Sequence, residues 1–324
     1  MNILMSNIAL ERPAGSEVWT YIVAKKLSEK GHNINVYTKK PGSFAKLFTF
    51  ASVLSKPPTT SFLKGKETLV PYDLAIMNHM SCAVACAKTC VFGNRIRVIH
   101  GVQSMEERPY DWEFSKLAAI SPELADYTKM TYGVEPDNII ANPVDPALFN
   151  ILLDEASNTL FWGGHKLGSR TPPVWLRQDK PHTIKNVIYY SGQDYPTVWM
   201  YEKARVVVGE GRSVYQAMAA GVPAIISNGY VTTGLLTPEK YERAAYYNCT
   251  VRCREHNPRP LTPQLLNDLV DEAIGMSYED RSWLQGKAAE VNSVEAVVSS
   301  LFDMAEVPKH QRSCVKKNEE DKVI

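Results

Sequence analysis

From the first residues onward, short apolar runs alternate with stretches in which apolar positions recur at helical spacing. Residues 2–6 read as a buried strand, residues 16–30 as an amphipathic helix closed by Gly31, and residues 34–38 as a second strand, which makes one βαβ unit. Further strands are predicted at 74–78, 97–100, 117–121 and 138–141, with a helix over 122–132 ended by Gly133. The rhythm breaks between Asn142 and Phe149, and a second series follows. Its strands are predicted at 159–162, 186–191, 204–209 and 223–227, with a helix over 212–220 stopped by Gly221. A loop region comes next, then a helix over 262–276 and a last amphipathic helix over 281–305. Repeated strand and helix order implies parallel sheets with helices on their faces. Two such units joined near residue 150 make a cleft where the carboxyl ends of their strands meet, a preferred place for ligands.

Composition narrows the class. With 324 residues and 44% hydrophobic residues the chain is long enough for two globular domains and too apolar to be disordered as a whole. A net charge of +1 argues against a globally basic nucleic-acid binder, so any site for a polyanion must be local. The segment 307–324 is charged, poor in apolar residues and expected to be disordered. No apolar run reaches the length of a membrane span and the N-terminus lacks a signal-peptide pattern, so a cytoplasmic location is expected, with peripheral membrane association left open. Cys82, Cys86 and Cys90 recur every four residues, which would stack them along one helix face, and Cys249 and Cys253 share that spacing. Such rows suit buried small hydrophobes better than a tetrahedral metal site, and no metal is expected.

Two segments carry chemistry. Pro13, Ala14, Gly15, Ser16 and Glu17 lie between the first strand and the first helix, where small residues let a ligand approach free amide groups. Glycines at 209 and 211 lead into a helix opened by Arg212 and Ser213, with Gln216 one turn on. Amides, a guanidinium and a hydroxyl there suit a diphosphate, and Gln216 stands within reach of a ribose. The G-x-G-x-x-G fingerprint of dinucleotide-binding dehydrogenases is absent.

The stretch from Gly209 through Glu210, Gly211, Arg212, Ser213, Gln216, Ala217, Met218, Ala219, Gly221 and Pro223 resembles the donor-site signature of the group 1 (family 4) glycosyltransferases of GT-B fold. Pro13 to Glu17 is similar to that family's Pro-Gly-Gly-Ala-Glu loop. Ser121, Gly133 and Val134, followed by Asn142, Pro143, Val144, Asp145 and Phe149, resemble its Ser, Gly-Val and Asn-Gly-Val-Asp series. Val187 to Gly192 is similar to the strand before the nucleobase loop, with Gln193 a donor-side candidate, and residues 229–252 resemble a loop of some bacterial members. The resemblance implies an α/β protein of two Rossmann-like domains with an interdomain cleft and a C-terminal crossover helix. Residues 1–150 would bind the acceptor, 151–280 the nucleotide-sugar donor, and the helix over 281–306 would cross back to the first domain. It further implies transfer of a sugar from a nucleotide sugar, a UDP-sugar foremost, to an acceptor hydroxyl with retention, and no resident cofactor.

The departures bear on the site. Where the family carries two glutamates eight apart, this chain has Val208 and Gln216, so Glu210 would have to serve from a shifted register. The family's phosphate loop corresponds to Gly164, His165 and Lys166 up to Arg170, and the short span between Arg170 and Asn186 points to a shortened donor domain. By resemblance His100, in Val98-Ile99-His100-Gly101, stands beside the transferred sugar. Glu17 is a candidate acceptor-side base, and His79 is similarly placed at a strand end.

Between Lys39 and Lys66 six lysines (39, 40, 46, 56, 64 and 66) occur without an acid, interleaved with Phe44, Phe48, Phe50 and Phe62. A short amphipathic helix over 44–54 carrying Lys46 and Phe48, beside Lys39 and Lys40, would suit an anionic membrane surface with a lipid-linked or envelope-glycan acceptor, or the phosphates of DNA. The simpler alternative packs the phenylalanines into the first domain and leaves the lysines as a solvated rim. Rival readings are a phage-type DNA glucosyltransferase acting on hydroxymethylated bases, a non-catalytic sugar-nucleotide or glycan-binding relative, and a nucleotide-sugar epimerase.

Overall fold

The computed structural model describes residues 1–58, 61–63, 66–102, 104–109, 116–151, 157–163, 181–189, 195 and 198–306. Their strands form two main sheets. The first comprises β1 (Asn2–Leu10), β2 (Asn33–Pro41), β3 (Ser52–Leu54), β6 (Val70–Met77), β7 (Cys90–Ile99), β8 (Lys116–Ala119) and β9 (Asn138–Ile139), while β4 (Ser61–Leu63) and β5 (Lys66–Thr68) pair separately as a hairpin. The seven strands lie in the order β3-β2-β1-β6-β7-β8-β9, and every pairing is parallel. Alternate side chains divide between the faces, as the pleat requires. Ile3, Met5, Ile34, Val36, Leu74 and Ile76 face α1 (Gly15–Glu29), whereas Leu4, Tyr37, Ala75 and Met77 face α2 (Met80–Ala87). Helix α3 (Pro122–Tyr132) follows β8 and is bounded as its sequence demands: Ser121 Oγ accepts from Leu124 N, proline opens the first turn and Gly133 closes it at φ 67°.

The second sheet comprises β10 (Thr159–Trp162), β11 (Asn186–Tyr189), β12 (Val206–Gly209), β13 (Ala224–Ser227), β14 (Val231–Leu235) and β15 (Arg259–Pro260), in the order β11-β10-β12-β13-β14-β15. Its first four strands are parallel and the last two antiparallel. Around it lie α4 (Val198–Glu202), α5 (Arg212–Ala219), α6 (Pro238–Tyr246), α7 (Pro263–Ile274) and α8 (Tyr278–Lys287). Phe161, Val207 and Ile226 pack with α5, α6 and α8 on one face, and Leu160, Trp162, Val206 and Ile225 pack with α7 on the other.

The chain then returns to the first sheet. After a widened turn over Ala288–Asn292, α9 (Val294–Glu306) buries Val294, Val297, Val298, Leu301 and Met304 beside Val18, Trp19 and Val23 of α1. The outgoing and returning segments run together: Val144 N donates to Asn292 O at 2.9 Å, and Asn292 Nδ2 donates to Asn142 O at 2.9 Å.

Several sequence expectations change here. Residues 44–54 form a 3₁₀ turn (Phe44–Leu47) and β3 in place of one amphipathic helix. The last helix is two, α8 and α9, broken at Ala288–Asn292. The region read as a loop beyond Gly229 contains β14 and α6. Cys90 belongs to β7 and not to the helix carrying Cys82 and Cys86, and Cys249 and Cys253 lie outside any α-helix. These five thiols are buried and free, and burial pushes that of Cys82 up to about 11. The 307–324 tail lies outside the described residues.

Candidate functional site

The parallel strands of the two sheets bring their following turns together where Arg212 meets Ala14, and the first wall of this cleft is the turn from β1 into α1. Thr20 Oγ1 donates to Ser16 O at 2.7 Å and accepts from Asn7 Nδ2 at 3.0 Å and Asn78 Nδ2 at 2.7 Å. One hydroxyl therefore binds the first turn of α1 to β1 and to the residue that follows β6, and so fixes the start of α1 over the middle of the sheet. Ser16 Oγ donates to Glu17 Oε2 at 3.0 Å. His100 follows β7 and sets its ring edge-on to Trp19 of α1, with centroids 5.3 Å apart.

The second wall is the start of α5. Gly211 has φ 56° and ψ −118°, a backbone state that favours glycine, and its N–H donates to Cys249 O at 2.9 Å. Gly163 and Gly209 make room for Ser213: a Cβ on Gly163 would lie 2.7 Å from Ser213 Oγ, and one on Gly209 would lie 2.9 Å from Ser213 Cβ. Ser213 N donates to Glu210 O at 3.3 Å, closing the turn on itself. Arg212 reaches across the cleft and donates from Nη1 to Ala14 O at 3.3 Å. Gly15, Ser16, Glu17, Gly211, Arg212 and Ser213 are thus brought to the same junction.

Other candidates are placed differently. Gln216 is 3% exposed and its Oε1 accepts from Tyr201 OH at 2.9 Å, so its amide carbonyl serves the core beside Phe161 instead of facing a ribose. Glu210 Oε1 accepts from Val251 N at 2.8 Å and holds the following loop. His79 is 6% exposed and precedes α2. Its Nδ1 accepts from Ile8 N at 3.1 Å, and its Nε2 lies 3.8 Å from Glu107 Oε1, so it is an internal link and not an acceptor-facing group. Phe48, 2% exposed, joins Phe44, Phe50 and Tyr21 in an aromatic cluster, and Tyr195 from the second half of the chain stands 5.2 Å from Tyr21 and 5.7 Å from Phe44. Phe44, Phe48 and Phe50 are therefore packed, while Lys39, Lys40, Lys46 and Lys56 are exposed. His165, Lys166, Arg170 and Gln193 lie outside the described residues.

Sequence reasoning missed the contacts that tie the halves together. Arg252 embraces Glu123 of α3, with Nε to Oε1 at 2.8 Å and Nη2 to Oε2 at 2.7 Å. Tyr246 OH donates to Asp126, and that bond, with burial second, holds the phenol up at about 12. Asn142 Nδ2 donates to Asn248 Oδ1 at 2.9 Å, and Asn248 itself has φ 54°. Also unforeseen were Arg97 and Glu107 behind the cleft. Their one sequence signal is a charged residue inside the apolar run of Ile96, Val98 and Ile99. Among the described residues no group of three or more His, Cys, Asp or Glu side chains is placed to hold a metal ion, and no helix is long and apolar enough to cross a membrane.

No protein-family sequence profile matches the chain, and no curated protein matches it in sequence. Solved structures do match in shape. A glycosyltransferase from Rickettsia africae ESF-5 aligns with a TM-score of 0.59 at 12% identity, over 94% of this chain and 97% of that one. WaaG, a glycosyltransferase involved in lipopolysaccharide biosynthesis, aligns with a TM-score of 0.52 at 14% identity, over 94% and 100%. A T4 phage BGT mutant solved in complex with UDP-glucose aligns with a TM-score of 0.51 at 11% identity, over 95% and 100%. Two parallel-dominated sheets, a helix that crosses back to the first sheet, and a fold-level alignment with these enzymes over 94–95% of the chain identify its architecture as the GT-B fold of glycosyltransferases.

Proposed function

We propose that the protein is a glycosyltransferase that moves a sugar from a nucleotide sugar, UDP-glucose in the first instance, to an acceptor hydroxyl. The observation that carries this reading is the meeting of two helix starts across the cleft, α1 at Gly15 and α5 at Arg212, joined by the Arg212 to Ala14 bond. A helix start combines amide donors with a partial positive charge, and a guanidinium beside it adds a fork suited to phosphate oxygens. The GT-B likeness and the bound UDP-glucose of the T4 phage relative support the donor class.

In this reading the second domain binds the donor, with Arg212 and the Gly211 turn on the diphosphate and Lys166 and Arg170 as further cations. The bond between the anomeric carbon and the leaving phosphate oxygen breaks, and the acceptor oxygen bonds to that carbon on the same face. The acceptor's proton passes to the departing oxygen, so retention needs no side-chain nucleophile and no resident cofactor. Neutralising the leaving diphosphate and orienting the acceptor are the tasks left to the protein. His100 and Glu17, on the first wall, stand on the acceptor side.

A second reading keeps the fold and makes DNA the acceptor. The exposed Lys39, Lys40, Lys46 and Lys56 favour it, because a local lysine rim attracts phosphates that a net charge of +1 does not. Steep loss of duplex binding between low and moderate salt would support DNA, and co-sedimentation with anionic liposomes would support a lipid-linked or envelope-glycan acceptor at the membrane surface.

The donor reading is tested by thermal shift with UDP-glucose and other nucleotide sugars, followed by assay of UDP release. A ligand at 100 times its Kd stabilises by about 2.7 kcal/mol. Absence of both a shift and UDP release across the panel sinks the reading and leaves a non-catalytic glycan-binding relative.

A further inference from the structure

Behind the first wall lies a buried charge cluster that the chemistry above does not use. Arg97, 0% exposed in β7, donates from Nη1 to Met77 O at 2.9 Å and Val98 O at 2.7 Å, and from Nη2 to Glu106 O. Burial pulls its guanidinium down to about 10, and the Glu107 and Glu106 carboxylates oppose that pull. Glu107, 8% exposed, sits in a 3₁₀ turn over Met105–Glu107 that follows β7. Its Oε2 accepts from His100 N at 2.8 Å and lies 3.8 Å from Arg97 Nη2, while its Oε1 lies 3.8 Å from His79 Nε2. His79 Nδ1 accepts from Ile8 N, which leaves the ring proton on Nε2, facing that carboxylate. The turn is anchored in turn by Glu106 Oε2, which accepts from Ser81 N at the start of α2 at 2.8 Å.

We propose that Glu107 is a positioning residue of the transfer site: its carboxylate fixes the backbone of His100 at the carboxyl end of β7, and Arg97 and His79 fix the carboxylate. The proposal rests on the glycosyltransferase reading for its consequence and on geometry alone for its mechanism. A buried ion pair is seldom the most stable filling for such a space, since apolar residues of similar size usually do as well. What this one adds is connection. The segments leaving β6 and β7 converge through His79 and His100 on a single side chain, with Ile8 of β1 joined through His79, and the carboxyl ends of parallel strands are where the cleft needs its geometry held. His100 is the member of that group whose ring packs edge-on against Trp19 of α1, the helix that opens the first wall, and displacement of a group in a transfer site by about 1 Å can cost about 100-fold in rate.

The test uses the full chain and three variants: Glu107→Gln, Glu107→Leu and the double variant Arg97→Met/Glu107→Leu. Steady-state UDP release from UDP-glucose gives kcat and KM separately, and backbone hydrogen exchange is read at the His100 amide. Glu107→Leu is expected to lower kcat about 100-fold with KM within about twofold, and to speed His100 exchange at least about tenfold. Glu107→Gln keeps an oxygen for the His100 N–H and is expected to retain slow exchange and most of kcat. The double variant removes the stranded cation and is expected to recover melting temperature without recovering kcat; should Glu107→Leu not fold, the double variant carries both measurements. Recovery of kcat in the double variant, or parental His100 exchange in Glu107→Leu, overturns the proposal. If the parent protein turns over no nucleotide sugar, faster His100 exchange in Glu107→Leu still upholds the positioning geometry and places the failure in the glycosyltransferase reading.

Discussion

Gly163→Ala tests how the second wall of the cleft is built. The added Cβ would lie 2.7 Å from Ser213 Oγ and 2.8 Å from Ser213 Cβ, against an ordinary carbon contact of about 3.5–4.0 Å. Rotation about χ1 can move the hydroxyl away, but Cβ is fixed to the backbone of α5, so the helix start itself must shift by several tenths of an ångström. Overpacking of this kind costs about 1–3 kcal/mol. For a cooperative unit of this size each kcal/mol lowers Tm by about 2–4 °C. The pattern of rescue separates this mechanism from general damage. Ser213→Ala keeps the Cβ and is expected to rescue nothing, whereas Ser213→Gly removes it and is expected to regain more than half of the lost Tm despite a helix cost of up to about 1 kcal/mol. Scanning calorimetry of the four proteins, with UDP-glucose titration, provides the assay. Donor affinity should fall with Gly163→Ala and return with the glycine double variant. A Gly163→Ala protein that melts within a degree of its parent, or that Ser213→Ala rescues as well as Ser213→Gly, refutes the packing argument.

Other predictions follow from single contacts. Arg212→Ala removes a charged donor worth about 1.5–3 kcal/mol, so donor KM should rise by roughly 10-fold to 150-fold with Tm nearly unchanged; an unaltered KM detaches Arg212 from the donor site. Leu301→Ala, at a side chain 0% exposed in α9, should destabilise by about 2–5 kcal/mol in urea denaturation, and a loss under 1 kcal/mol would contradict the packing of α9 on the first sheet. Because burial holds the Cys82 thiol at about 11, iodoacetamide at pH 8 should leave Cys82 unmodified in the native protein and label it in urea, as read by mass spectrometry; rapid native labelling contradicts that burial.

What the sequence conveyed was local and periodic. Helix α3 was legible because Ser121, Pro122 and Gly133 act within a few residues of one another. Residues 44–54 misled for the same reason: Phe44 and Phe48 are spaced as on a helix, yet they are placed by Tyr21 and Tyr195, far away in the chain. Gln216 stood at the right helical position for a ribose, but a neighbour 15 residues before it, Tyr201, claims its carbonyl. The α6 start at Thr237, Pro238 and Glu239 carried a readable signature that the resemblance to a loop obscured. Contacts such as Arg97 with Glu107 and Arg252 with Glu123 join side chains chosen by topology, and no spacing rule reveals them.

The return of α9 has a consequence for synthesis. Val294, Val297, Val298, Leu301 and Met304 complete an apolar core whose other fully buried members lie before residue 141, so the first half of the chain leaves the ribosome with one face of its sheet unsealed. At about 5–20 residues per second the missing helix follows about 8–30 seconds later, after the whole second half has been made. During that interval the nascent first domain is an exposed apolar surface, a client for chaperones. A gene cut at the linker would make this state permanent, so the two halves should be obtained separately only if the last helix is spliced onto the first.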